Sequence, residues 1–309
     1  MMTVLSPTAQ PTPFTTATVE WPTIGLIIIN WLAFLLLTAF YHALPWWIIL
    51  PLGSYVLALF GSLQHEILHG HPTPKQWLNE ALLFPNIALW LPYKLYQSTH
   101  LTHHINHQLT DPILDPESYY LHPKKWQRLP RWLQSYYRFY NTLLGRFFWG
   151  PLHIIGTLWV AEIRSVLAGD HQSIRNWGIH ILACLPVLYW VVVICEIPLA
   201  AYLFLFVYLG ISLTLLRAFI EHRAVAHSKE RSIIVDTNPV MSLMYLNNNL
   251  HAIHHQEPQL AWYYLPAIWQ AEREAVLAGN GNYYCSGYLN IILRYWNKAK
   301  EHPKYPLES

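Results

Sequence analysis

Charged side chains are scarce in this chain of 309 residues: Asp, Glu, Lys and Arg together make up only 12% of it. An ordinary soluble domain carries about a quarter charged residues. Together with a hydrophobic share of 53%, the low figure argues against an ordinary water-soluble protein and predicts that much of the chain lies in lipid. The net charge of +2 gives no indication of nucleic acid as a partner.

Cysteine is also rare, and the beginning of the chain lacks basic residues. Cys184, Cys195 and Cys285 show no close pairing in the sequence, so we expect no disulfides. Residues 1–20 contain no Lys or Arg, whereas a signal peptide needs a basic start and a short apolar core. We therefore expect a disordered tail over residues 1–22 and a single domain over residues 23–309.

The chain does contain long runs without any charge. No charged residue occurs between Glu20 and Glu66, which leaves room for two membrane crossings of about 20 residues each. Two further charge-free runs flank Glu196. The sequence thus predicts an all-α integral membrane protein. The four transmembrane helices are expected at about 24–42, 46–64, 177–195 and 197–217.

Two shorter apolar pieces, residues 81–93 and 147–161, are broken by Pro or Gly. Each is too short for a full crossing, so we expect interfacial or re-entrant helices, with a crossing by one of them as the alternative. All 19 Lys and Arg lie between Lys75 and Arg175 or from Arg217 onward. The positive-inside rule places both basic regions, and both chain ends, in the cytoplasm. An odd number of crossings between these regions would separate them, which argues against a fifth span.

Histidine is concentrated in three short motifs that lie outside the predicted spans. "HEILH" places two histidines at i and i+4, while "HLTHH" and "HAIHH" each place three at i, i+3 and i+4, on one face of a helix. The eight histidines are His65, His69, His100, His103, His104, His251, His254 and His255.

Metal binding is the physical reason for such clusters, because neutral imidazole suits Fe, Zn, Cu and Ni. Eight ligands are too many for one ion, whereas two ions with four or five ligands each would use them all. The lack of cysteine in the motifs argues against an iron–sulfur or a structural zinc site. The pattern therefore predicts a two-metal centre at a membrane surface, where iron would link the centre to oxygen chemistry.

The three motifs, in this order and with a long apolar insert before the third, resemble the histidine boxes of the membrane fatty acid desaturase and hydroxylase superfamily. The segment "WYYLP" after the third box is similar to one in bacterial acyl desaturases. The resemblance implies four transmembrane helices below a cytosolic helical cap, which residues 65–175 and 218–309 would form and which would hold two irons. It also implies one more ligand after the fourth span, for which His222 occupies the corresponding place and His227 is the rival.

Several neighbours of the boxes are further candidates. Glu66 and Glu221 adjoin ligand candidates and could orient metal-bound imidazoles. Asn247 could carry a metal-bound water or act as a helix cap, and Asp111 belongs to an Asp-Pro loop after the second box. Two histidines that extend the first two boxes are expected to support the site or lie at the surface, namely His71 and His107. Three others are expected to be structural: His42, His153 and His180.

The resemblance implies that the site uses O2, together with two external electrons, to oxidise an unactivated C–H bond of a lipid substrate. We favour desaturation of a fatty acyl chain. The alternative is a hydroxylase or ketolase acting on a carotenoid, an alkane or another lipid, because similar Asp-Pro loops follow the second box in such enzymes. A non-catalytic metal transporter or sensor is disfavoured, since transporters place ionisable ligands within their spans.

No haem-binding domain or flavin fingerprint is visible in the sequence. We therefore expect an external electron donor of the ferredoxin, rubredoxin or cytochrome type. The expected location is a bacterial plasma membrane.

Overall fold

The computed structural model describes residues 18–105 and 109–307, and its architecture is almost entirely helical. Within these residues four helices are long and apolar enough to cross a membrane, as predicted. They are Trp21–Ala39, Trp46–Leu68, His171–Ile194 and Leu199–Ala218. Most of the predicted tail, residues 1–17, lies outside the described residues.

The helices and strands follow one another with short connections. The first two spans are α1 (Trp21–Ala39) and α2 (Trp46–Leu68). The cap then contributes α3 (Gln76–Leu82), α4 (Tyr93–Ile105), α5 (Pro123–Arg128), α6 (Arg131–Tyr140), α7 (Leu143–Phe148) and α8 (Gly150–Leu167). The third span is α9 (His171–Leu188) with a π-helical continuation at Tyr189–Ile194. The fourth is α10 (Leu199–Tyr202), a π-helical stretch at Leu203–Tyr208 and α11 (Leu209–Ala218). The chain ends with β1 (Ile234–Val235), α12 (Pro239–Met244), α13 (His251–Gln256), α14 (Leu265–Gly279), β2 (Tyr284–Cys285) and α15 (Tyr288–Tyr295).

Two span boundaries differ from the predicted ones for physical reasons. The third span begins six residues early, at His171, because the Asp170 carboxylate caps α9 by accepting from the backbone N–H groups of Gln172 and Ser173. Helix α2 runs four residues beyond its predicted end, so His65 lies in its last turn. A helix need not end where the charge-free run ends, since its last turn can project from the bilayer.

Two glycines allow the second and fourth spans to approach closely. A Cβ atom on Gly53 would lie 2.8 Å from the Phe206 ring, and one on Gly210 would lie 2.4 Å from the Leu57 side chain. Small residues at such contacts let helix backbones pack tightly in a membrane. The resulting interface belongs to the largest apolar core of the described residues, which also includes Phe60.

Residues 83–92 form a non-helical segment rather than the predicted helix at 81–93. The segment packs among the spans: Asn86 N–H donates to the Ala183 carbonyl of α9 at 3.0 Å, and the Tyr202 hydroxyl donates to the Ile87 carbonyl at 2.6 Å. Pro85 and Pro92 prevent a continuous helix. Irregular backbone is tolerated beside membrane helices when protein partners satisfy its polar groups.

The second short apolar piece, 147–161, lies in α7 and α8 and is not one of the four spans. Helix α8 ends at Leu167, and Gly169, whose φ is +80°, reverses the chain into α9. Beyond the spans, the two short strands pair in parallel. Ile234, on the first strand, packs with Leu265 and Trp269 of α14. This layer supports α13, the helix that carries the third histidine motif.

Candidate metal centre

The first histidine pair lies at the end of α2. His65 is in the last turn of α2 and His69 directly follows the helix, with ring centroids 4.8 Å apart. Both residues are at least 94% buried, with exposed fractions of 2% and 6%. A separation of four residues places both rings on the same side of the helix.

The second motif lies on α4, where the three histidines diverge. His100 and His104 are one turn apart, and their Nε2 atoms approach to 3.0 Å. His103 is rotated by about 100° from His104 around the helix axis, and its Nε2 instead approaches Nε2 of His222 at 3.2 Å. One helix therefore contributes imidazoles to two neighbouring places.

The third motif divides in the same way. His251 and His255 lie one turn apart on α13, and their Nε2 atoms are separated by 3.1 Å. His254 instead approaches His104, with 3.1 Å between their Nε2 atoms. His222 lies shortly after the end of α11, next to Glu221. Its Nε2 atom is 2.9 Å from Nε2 of His251.

The nine histidines form two groups whose candidate ligand atoms lie within 4.8 Å of one another. We call them the five-histidine group and the four-histidine group. The first comprises His65, His69, His100, His104 and His254, and the second comprises His103, His222, His251 and His255. Each group draws on helices that are distant in the sequence.

The hydrogen-bond partners of two rings leave their Nε2 atoms available to bind a cation. His100 Nδ1 donates to Glu117 Oε1, and His103 Nδ1 donates to Asp115 Oδ1, each at 2.8 Å. Neutral imidazole with the proton on Nδ1 presents a lone pair at Nε2. Nε2 atoms 2.9–3.2 Å apart match the edges of a coordination shell with metal–nitrogen distances of about 2.1 Å, since a 90° angle then gives about 3.0 Å.

Burial and mutual repulsion favour the neutral, ligating form of these rings. Burial, followed by the neighbouring imidazoles, lowers the pKa values of six histidines well below the usual range: His69, His104, His222, His251, His254 and His255. In addition, Nε2 of His69 is buried without a hydrogen-bond partner among the described residues. A polar atom buried in this way normally has a partner, and a metal ion would supply one.

His103 differs from these six histidines. Burial lowers its pKa, but Glu117 and Asp115 outweigh this effect and raise it to about 9. In turn, burial raises the pKa of Glu117, but the imidazoles of His100 and His103 hold it well below its usual range. Glu117 therefore remains ionised and can act as a fixed acceptor for the rings.

The predicted supporting residues contact the centre only in part. Glu221 lies 3.6 Å from His251 Nδ1 and is paired with Arg217 at 2.7 Å. Glu66 instead accepts from the Trp262 backbone N–H at 3.4 Å.

Asn247 and Asp111 make hydrogen bonds to nearby backbone groups. The Asn247 side chain donates to the Trp262 carbonyl, and its φ of +55° favours Asn at this turn. Asp111 caps a turn by accepting from Ile113 and Leu114.

The other histidines of the described residues lie outside both groups. His227, the rival of His222, is exposed on the surface. His71 is buried and paired with Glu20 at 2.7 Å. The three histidines expected to be structural hydrogen-bond to a carbonyl or a tyrosine: His42 to Cys195, His180 to Leu89 and His153 to Tyr136. His107 lies outside the described residues.

Sequence reasoning missed four residues that bond to the Nδ1 atoms of the groups. Besides Asp115 and Glu117, the Asn248 Oδ1 atom accepts from His251 Nδ1 at 2.8 Å, and the Ser232 hydroxyl lies 3.3 Å from His222 Nδ1. The only sequence signal was the acidic composition of the "DPILDPES" loop, which does not show which carboxylate faces a histidine.

Comparison with known families agrees with this geometry. The family model described as fatty acid desaturase matches residues 41–287, which is well over half of the chain. The chain belongs to the fatty acid desaturase family. The search of curated proteins finds no match. Membership in this desaturase family makes the chain a membrane oxidoreductase that modifies lipid. The two histidine groups could each hold a metal ion.

Proposed function

We propose that this desaturase-family protein is a diiron enzyme that introduces a double bond into a fatty acyl chain, with O2 as co-substrate. The observation that carries the proposal is the pair of all-imidazole groups, five and four histidines, side by side at the ends of the membrane spans. All-nitrogen ligation without cysteine suits non-haem iron, and it leaves positions open for oxygen.

In this proposal the five-histidine group holds one iron and the four-histidine group holds the other. The bound irons would supply the two-electron oxidation that acid–base side chains cannot perform. In the overall reaction the substrate loses two hydrogens, a donor supplies two electrons and the solvent supplies two protons. One O2 is thereby reduced to two waters, and one C–C single bond becomes a double bond.

The residues of the chain position and insulate the centre. Glu117 and Asp115 hold the rings of His100 and His103 in orientation through their Nδ1 atoms, as outer carboxylates do for metal-bound histidines. The buried pair of Arg217 and Glu221 closes the side of the four-histidine group. Apolar spans that end at the centre allow a chain to enter from the bilayer without exposing the reaction to water.

We also propose that the centre faces the cytoplasm of a bacterial cell and receives electrons from a separate ferredoxin, rubredoxin or cytochrome. The supporting observation is the distribution of Lys and Arg, which are absent from the connection between α1 and α2 and from that around Glu196. Both basic regions then lie on the side of the histidine groups.

The decisive experiment is expression in a host of known lipid content, followed by mass spectrometry of the total fatty acids. The expected product is two hydrogens lighter than its precursor, and it should be absent with the His251→Ala variant. A product that gains one oxygen without an alkene would assign the protein to the hydroxylases and leave the diiron site in place. An active preparation that contains zinc instead of iron would overturn the oxygen chemistry.

A further inference from the structure

Helix α8 lies across the ends of two spans on the side of the histidine groups. Near its start, Gly150 packs against Leu215 at the end of α11, where an added Cβ would lie 2.6 Å from the leucine side chain. Near its end, Glu162 accepts a hydrogen bond of 3.0 Å from Trp177 in the second turn of α9. Because these ends of α9 and α11 lie on one side of the bundle, α8 runs along the membrane surface.

A groove of about 580 Å³ lies between α6 and the outer face of α8. Its apolar wall includes Leu152 and Val160, which are 50% and 49% exposed. Gly156 lies between them, and a Cβ atom there would meet open space. The groove therefore has an apolar floor with no side chain at Gly156.

The two ends of the groove differ in polarity. At one end the Tyr136 hydroxyl bonds to Nδ1 of His153 at 2.6 Å. Burial, helped by the charge of Arg146, lowers the pKa of His153 to about 4, so this end is neutral at physiological pH. At the other end lies the exposed guanidinium group of Arg164.

The surroundings of the groove are strongly basic. Residues 123–164 contain seven Lys and Arg but a single acidic residue, Glu162, whose carboxylate is bonded to Trp177. In the same region the aromatic side chains of Trp132 and Trp149 are 70% and 47% exposed. Exposed tryptophan beside Lys and Arg is the composition of a helix surface that contacts anionic lipid headgroups.

We propose that this groove binds one anionic phospholipid, with an acyl chain along Leu152, Gly156 and Val160 and the phosphate at Arg164. From Leu152 to Arg164 the helix rises about 18 Å, which is close to the length of an acyl chain, since one leaflet of the hydrocarbon core is about 15 Å thick. Arg is suited to the phosphate because its planar fork can donate two hydrogen bonds to it. A phospholipid fits better than a protein partner because the groove lies on a helix that runs along the membrane surface.

The test uses native mass spectrometry of the full-length, detergent-purified protein titrated with dioleoyl phosphatidylglycerol or dioleoyl phosphatidylcholine. We expect one phosphatidylglycerol to be retained, with at least about tenfold weaker retention of the zwitterionic phosphatidylcholine, because its choline ammonium cancels the net negative charge that the basic surroundings attract. Gly156→Leu, which fills the groove, and Arg164→Gln, which removes its cation, should each weaken retention by a similar factor.

Matched controls lie on the neighbouring α9. Gly178 is an exposed helical glycine with open space around its Cβ position, and Arg175 is an exposed arginine outside the groove. Gly178→Leu and Arg175→Gln should retain the lipid as the parent does. Equal retention of the two lipids would overturn the proposal. So would undiminished binding by Gly156→Leu, or an equal loss in the control variants.

Discussion

At the scale of single residues, the orientation of each imidazole depends on the acceptor at its Nδ1 atom. The Asp115 carboxylate accepts three hydrogen bonds: from His103 Nδ1, from the Thr110 N–H at 2.7 Å and from the Glu117 N–H at 2.9 Å. A carboxylate that accepts these three hydrogen bonds holds both the loop and the ring. The loop that follows the second histidine motif is therefore part of the metal centre.

We expect Asp115→Asn to lower iron affinity roughly 10–100-fold, the usual effect of removing a partner of a metal-bound histidine. The Asn side chain replaces one carboxylate oxygen by an NH2 group, which cannot accept a hydrogen bond. One of the donors that Asp115 serves, either His103 Nδ1 or a backbone N–H of the loop, therefore loses its hydrogen bond. Iron retained by the purified protein against graded chelator measures the effect. Asp111→Asn is the control, since a single oxygen of Asp111 serves both Ile113 and Leu114. Equal iron retention by the two variants would contradict this role of Asp115.

His222 gives a second prediction at this scale. His222→Ala removes one of four rings from its group, so the iron content should fall from about two per chain to about one or less. The loss should be as severe as that in His251→Ala. His227→Ala, five residues later on the surface, should keep the iron of the parent. Unchanged iron in the His222→Ala protein would remove this residue from the ligand set.

At the scale of elements, the segment after α15 clamps the loop that carries His222. The Lys300 ammonium donates to the His222 carbonyl and to the Tyr119 hydroxyl, and it pairs with Glu301 at 2.9 Å. Backbone bonds continue the attachment: Lys300 N–H donates to the Asn141 carbonyl at 2.9 Å. A segment more than 70 residues beyond His222 thus restrains the backbone of this candidate ligand.

Lys300→Met should lower the free energy of unfolding by about 3 kcal/mol, because it leaves the mostly buried Glu301 without its cation. Equilibrium unfolding in mixed micelles is the measurement. Lys298→Met, two residues away on the exposed surface, should change stability by no more than about 0.5 kcal/mol. If both variants unfold alike, the clamp contributes nothing measurable.

At the scale of the whole molecule, four crossings place α4, α13 and the loop of His222 on one side of the bundle. An even number of spans between "HEILH" and "HAIHH" is required for the motifs to meet. The fifth crossing considered for residues 81–93 or 147–161 would have separated them. The arrangement of the centre is thus a direct consequence of the topology.

The topology can be tested by cysteine labelling in a background in which Cys184, Cys195 and Cys285 are replaced by alanine. Single cysteines at Lys124 and Lys298, both exposed, should react with an impermeant maleimide from the cytoplasmic side only. A cysteine at Ala43, in the connection between the first two spans, should react from the opposite side. Labelling of the Lys124 and Lys298 positions from different sides would contradict the shared face.

The sequence by itself determined the number of spans and the eight histidines of the three motifs, while His222 was added by the family resemblance. Runs without charge identify spans because a charge in lipid is costly, and spacings of three and four residues identify rings that share a helix face. These signals are local, so they can be read without knowing the fold. The same reasoning wrongly predicted a helix at 81–93. Apolar composition does not distinguish a helix from irregular backbone whose polar groups form hydrogen bonds with α9 and the fourth span.

Only the tertiary structure decided how the nine rings divide into five and four. His103 and His254 each belong to a different group from the other histidines of their motif. The partner that a side chain meets depends on which helix packs against it, and the local sequence does not show this. The same holds for the acceptors, where Asn248 rather than Asn247 reaches His251, and Asp115 rather than Asp111 reaches His103. One residue of difference in a turn redirects a side chain completely, and packing between distant segments selects the one that meets the ring.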